Sequence, residues 1–184
     1  MFRSIATAVI AALAQAALPT NAERFAVKQW NDAMQHFDRD QYYEIYKTTT
    51  EDDFELTLFR LLPKVQPAPP KKGTILLQHG AGMEALSFIL IATFDPSIKE
   101  QDMVLFNLVD EGYDVWMGNN RFTQYSNVNK NFPDADNLTS PNYAAQSKAK
   151  YNSGWYEFGK YDVPAMLDKV IEVSPGKVNY IGYS

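Results

Sequence analysis

Lys177-Val178-Asn179-Tyr180-Ile181-Gly182-Tyr183-Ser184 decides how the rest of the chain is read. Val178, Tyr180 and Ile181 predict a short buried strand. Gly182-Tyr183-Ser184 then opens the pattern G-x-S-x-G, in which a strand turns sharply and presents a serine hydroxyl at its tip. A glycine two positions before the serine suits that turn, because a side chain there would crowd it. Three residues alone describe many ordinary turns, so the reading depends on what precedes them.

Working back from the serine, Ser174-Pro175-Gly176 ends a helix. Val163, Met166, Leu167, Val170 and Ile171 recur at helical spacing, with Asp162 as the expected N-cap and Pro164 in the first turn. Residues 121–155 are polar and carry no strong period, which predicts a long loop with short helical pieces. Tyr113-Asp114-Val115-Trp116-Met117 reads as a strand. Val104, Leu105, Leu108 and Val109 give the helix before it one apolar face, and Gly112 stops that helix. No element is assigned to 83–99. Thr74-Ile75-Leu76-Leu77-Gln78 is a continuous apolar run, the mark of a strand buried on both faces. It delivers His79-Gly80-Ala81-Gly82 at its carboxyl end, where ligands bind in open α/β sheets.

Upstream lies a proline-rich connector over 63–73, which supports neither helix nor central strand. Residues 41–50 and 54–62 are rich in Tyr, Ile, Thr and Phe and flank Glu51-Asp52-Asp53, a polar turn, so they form a hairpin. Glu23 to Phe37 reads as an amphipathic helix through Phe25, Val27, Trp30, Met34 and Phe37. Strands alternating with helices call for a parallel α/β sheet, and the hairpin adds an antiparallel edge.

Residues 1–22 have the form of a secretory leader: Arg3, an apolar stretch from Ile5 to Leu18, and a small residue, Ala22, for cleavage. The domain proper is then 23–184. The net charge of -5 offers no footprint for nucleic acid. There is no cysteine and there are only two histidines, which removes thiolate chemistry and argues against a multi-histidine zinc site. Asn137-Leu138-Thr139 is a glycosylation sequon that a secreted chain offers for modification.

Two signals bear on chemistry together. One strand ends in His79-Gly80 with small residues after it, and a later strand ends in Gly182-x-Ser184. In acyl transfer a serine attacks a carbonyl, and backbone N–H groups must already point at the oxygen that becomes charged. One such donor follows the nucleophile, and the other lies on the loop after the early strand. Gly80 and Gly82 allow close approach, and the N–H of Ala81 is the candidate donor.

The chain resembles the acid lipase family, the gastric and lysosomal lipases with their associated N-terminal region. The stretches that carry the resemblance are LLQHGAG at 76–82, EGYDVWMGNNR at 111–121, WYEFGKYDVPAMLDKVIE at 155–172 and VNYIGYS at 178–184, with YYEIYKTTTEDDFELTLFRL at 42–61 similar to the family's opening hairpin. The resemblance implies the N-terminal half of an α/β-hydrolase sheet and hydrolysis of lipid esters with Ser184 as nucleophile. It implies Ala81 as an oxyanion donor and His79 as part of the oxyanion-loop motif rather than as the base. It implies no cofactor or metal, a passing contact with a lipid interface, and a secreted, lysosomal or phagosomal location. Two departures stand out. Arg121 is followed by Phe122 where the family has glycine, with Asn120 in place of a serine. The family's acid and base follow the nucleophile, and the sequence ends on Ser184.

Asp114, Asp162 and Asp168 are expected to be structural, since the first lies inside a strand and the others on a helix covering the sheet. A competing expectation is a truncated, inactive or merely lipid-binding product, because a serine without its base has no route to deprotonation.

Overall fold

The computed structural model describes residues 21–184 apart from 65–66, 70, 91–93 and 96. Residues 1–20, nearly all of the expected leader, therefore lie outside the described residues, as does part of the 63–73 connector. The sheet runs β1 (Tyr43–Thr49), β2 (Phe54–Leu61), β4 (Tyr113–Gly118), β3 (Gly73–Gln78), β6 (Val178–Gly182), with the short β5 (Val128–Asn129) beside β2. β1 and β2 are the antiparallel hairpin, in register from Tyr43↔Leu61 to Thr49↔Glu55. β3 is parallel to both β4 and β6. The parallel core with an antiparallel edge is thus the expected α/β arrangement.

Strand alternation divides the core in two. Phe59, Leu61, Ile75, Leu77, Val115 and Met117 face one side, where α1 (Asn21–Gln35) and α2 (Val104–Asp110) cover them. Leu56, Leu58, Leu76 and Trp116 face the other side, under Met166 and Val170 of α4 (Val163–Val173). Trp30 of α1 stacks on Phe59 at 4.0 Å between ring centroids and is fully buried. Burying a side chain of that class contributes about 2–3 kcal/mol.

Several expectations are corrected. α1 turns its Ala26, Trp30, Ala33 and Met34 stripe inward, so Phe25 stands 58% exposed. α2 buries Leu105, Phe106 and Val109 and leaves Val104 outside. β6 is mostly exposed rather than buried, because it pairs with β3 alone and no described element lies on its far edge. The polar stretch 121–155 contributes β5 and α3 (Tyr143–Lys150). The last long helix does not begin at Asp162. It enters at Trp155–Glu157, passes through a π turn at Phe158–Asp162 and continues as α4. Pro164 has no N–H for the carbonyl four residues back, and the wider turn just before it is where the helix absorbs that loss.

Candidate active site

The carboxyl ends of β3, β4 and β6 converge, and each supplies one wall of a cleft of about 1090 Å³. β3 leads into His79 and Gly80. The N–H of Asn120, beyond β4, donates to His79 Nε2 at 3.1 Å. That leaves Nδ1 to carry the proton and donate to the Gly80 carbonyl at 2.9 Å. His79 therefore clips two strand-end loops together as a neutral ring. Burial holds its pKa below the ordinary value, and the bond to Gly80 offsets this only in part.

Gly80 to Met83 forms a tight turn closed by the Met83 N–H on the Gly80 carbonyl at 3.1 Å. Gly82 takes a positive φ of 66° in it, which is why a glycine stands there. Ala81 is exposed at the turn's tip on the cleft wall, and no described group takes its N–H. Below the turn, Asn119 holds the loops in place. Its Oδ1 accepts the Ala85 N–H at 2.8 Å, and its amide donates to the Thr57 carbonyl at 3.0 Å. By sequence Asn119 is only part of a turn; a polar residue directly after a buried strand is the signal for this role.

β6 ends at Gly182, and the Tyr183 N–H reaches the Gln78 carbonyl at 3.4 Å. The Tyr183 hydroxyl meets Ser87 Oγ at 2.8 Å, pinning the turn to the loop after β3. Ser184 then adopts φ 61°, a left-handed conformation unusual for serine, and it is exposed to the cleft. A Cβ placed on Gly80 would lie 2.9 Å from Ser184 Cβ and 3.4 Å from its Oγ. At Gly182 the nearest atom to such a Cβ is on Tyr180, an ordinary 3.5 Å away. The crowding expected at Gly182 falls on Gly80 instead.

Arg121 is the buried clamp behind the cleft. Its Nη atoms reach both Asp52 carboxylate oxygens at 2.7 and 2.9 Å, and its Nε and backbone N–H both reach Asp162 at 2.9 Å. Hairpin turn, β4 loop and long helix are joined through one guanidinium. Burial raises the pKa of Asp162 despite that partner. For Asp52, burial also pushes upward, but the bonds from Arg121 and Thr50 outweigh it and hold the carboxyl low. Asp114 sits at the opposite end of β4, bound by Arg60 at 2.8 Å and by Ser174. Asp168 is exposed on α4. None of the three aspartates is arranged as a partner to a histidine. Asn137 is exposed, and its Oδ1 accepts the Thr139 hydroxyl at 2.8 Å.

A family model described as a partial alpha/beta-hydrolase lipase region matches residues 35–91. Lipase 1 of Drosophila melanogaster is 35% identical over 142 residues, covering 77% of this chain and 27% of the relative. Over most of its length the chain is similar to lipases, in line with the acid lipase resemblance. Lipase member M of Mus musculus is 31% identical over 146 residues, covering 77% of this chain and 30% of the relative. Triacylglycerol lipase 2 of Arabidopsis thaliana is 30% identical over 145 residues, again covering 77% and 30%. The chain thus spans roughly a third or less of the length of these relatives. Among solved structures, an esterase of Pyrococcus furiosus aligns with 78% of this chain and 42% of its own, at 14% identity and a TM-score of 0.48.

The departure from the acid lipase pattern at Phe122 has a structural counterpart. Phe122 takes a positive φ of 72°, the conformation that a glycine adopts without strain. Its ring packs against Phe54, Tyr151 and Phe158, which offsets the strain.

Proposed function

We propose that this chain supplies the nucleophile and oxyanion side of a lipase or carboxylic ester hydrolase acting on lipid esters. The observation that carries the reading is Ser184, held at positive φ at the end of β6 and seated against Gly80. The apolar cleft walls, with Leu86, Leu90, Phe158 and Val163, suit an acyl chain.

In this reading Ser184 Oγ attacks the acyl carbonyl carbon and its proton passes to a general base. The charge collects on the carbonyl oxygen, where the Ala81 N–H and the N–H following the serine receive it. The alcohol leaves with a proton from the same base, and water then releases the acid from Ser184. Neither of the chain's two histidines serves as that base. His79 has both ring nitrogens occupied, and the Nε2 of His36, in the turn after α1, faces the Ile98 carbonyl at 3.5 Å. The chain by itself therefore binds lipid esters without serine-dependent turnover.

The test is hydrolysis of p-nitrophenyl butyrate by this chain fused at Ser184 to the part of a matched lipase that follows its own corresponding serine. A folded fusion whose turnover survives Ser184→Ala contradicts the reading. The leader at residues 1–22 would direct the chain to a secreted, lysosomal or phagosomal destination, with Asn137 carrying a glycan. Mass measurement of the mature amino terminus, before and after glycosidase treatment, tests both.

A further inference from the structure

The charged groups of the cleft do not balance. Arg121 and His79 line it, and neither is available to a ligand's negative charge. The guanidinium of Arg121 is enclosed by Asp52 and Asp162. His79 is a neutral ring with both nitrogens taken. The carboxylate of Glu84 also lines the cleft, on the loop that carries Gly80 and Ala81. Its partner is the amide of Gln124, beyond β4, and among the described residues no cation pairs with it. Glu84 is half-buried, so its charge is poorly screened toward the cleft.

We infer that Glu84 sets the charge selectivity of this cleft, admitting uncharged ester lipids and rejecting anionic amphiphiles while its carboxylate is ionised. The inference rests on reading the cleft as a lipid-ester site. It adds that a substrate with an anionic headgroup is a poor ligand and that a released fatty acid anion is expelled. Gln124 bonds Glu84 and the phenol of Tyr125 feels its charge; the other polar or ionisable groups named next share the cleft with it. On its own loop there is the His79 ring. From the loop after β4 come Arg121, Gln124 and the phenol of Tyr125, and from the end of β6 come Tyr180 and Tyr183. The helix before α4 contributes Trp155 and Phe158, which do not ionise. Behind the same loop, Asp32 of α1 and His36 just past its end line a separate recess. Burial raises the pKa of Glu84, with Gln124 pulling it partly back, so the selectivity fades at a higher pH than for an ordinary glutamate.

The experiment uses the full chain and two ligands of equal chain length. Decanesulfonate keeps its negative charge throughout, and methyl decanoate has none. Binding is followed by the fluorescence of Trp155 on the cleft wall. At about pH 8, where a glutamate is ionised, the ester binds on the order of tenfold more tightly than the sulfonate. Glu84→Gln keeps the oxygen that accepts from Gln124. It tightens the sulfonate by roughly that factor and leaves the ester within about twofold. Glu84→Asp retains the wild-type preference. Acidification makes the wild type behave like Glu84→Gln and changes Glu84→Gln little. If both ligands bind and their ratio is the same in Glu84→Gln as in the wild type, the inference is wrong and the lipase reading stands. If the folded wild type binds neither ligand, the inference and the ester-cleft reading fail together.

Discussion

Ser184 rests on the backbone of Gly80, close enough that a methyl group there would stand 2.9 Å from the serine Cβ and 3.0 Å from the Tyr183 carbonyl. The two loops that an acyl-transfer site must bring together are therefore in van der Waals contact, and the absence of one side chain makes the contact fit.

The three glycines at the site should respond differently to alanine. Gly80→Ala meets backbone and costs about 1–3 kcal/mol. Gly82→Ala has open space but a positive φ, and costs about 1 kcal/mol. Gly182→Ala has neither obstacle and stays within about 0.5 kcal/mol. Urea unfolding of the three variants checks the order.

Arg121→Met should destabilise the fold by about 3–5 kcal/mol, because it strands the fully buried carboxylate of Asp162. Adding Asp162→Asn to Arg121→Met should recover part of that loss, since the stranded group is then uncharged. A double-mutant cycle in urea reads the coupling; simple additivity of the two losses would count against the clamp.

Much of this arrangement was legible in the sequence, but unevenly. The apolar run of β3 announced a strand buried on both faces, and it is. The same logic failed for β6, because burial depends on what covers a strand as well as on its composition. Asp162 has the residue type of an N-cap, yet its carboxylate belongs to Arg121, forty-one residues away in sequence. Only tertiary structure brings that partner close. β5 spans two residues and exists because β2 offers it an edge, so no local period could reveal it. Phe25 and Val104 were counted as core from apolarity, while the small Ala26 and Ala33 hold the buried positions.

His79 gives stability a pH dependence of known sign. Its folded pKa lies below the ordinary 6.5, so the unfolded chain binds a proton that the folded chain refuses. The contribution is intact above about pH 6.5 and is lost as pH falls through the folded pKa. Glu84, shifted upward, works in the opposite direction. Subtracting the profile of His79→Gln from that of the wild type should leave a stability difference that shifts against the wild type as pH drops below about 6.5. A flat difference would contradict the neutral clip.

Phe122 tests the strain argument. Both Phe122→Gly and Phe122→Ala lose the ring contacts, but only glycine accepts the φ of 72° freely. Phe122→Gly should be more stable than Phe122→Ala by about 1 kcal/mol, the reverse of their usual order. Thermal unfolding of the pair decides the matter.

The central claim is that Ser184 is the nucleophile and that its base comes from none of this chain's residues. The most direct measurement is p-nitrophenyl butyrate hydrolysis by the chain alone, by the fusion that carries a matched lipase beyond the serine, and by each with Ser184→Ala. The account predicts no serine-dependent turnover from the chain alone, and turnover by the fusion that falls at least about a thousandfold in Ser184→Ala. Serine-dependent turnover by the chain alone, or a folded, active fusion indifferent to Ser184→Ala, would contradict it.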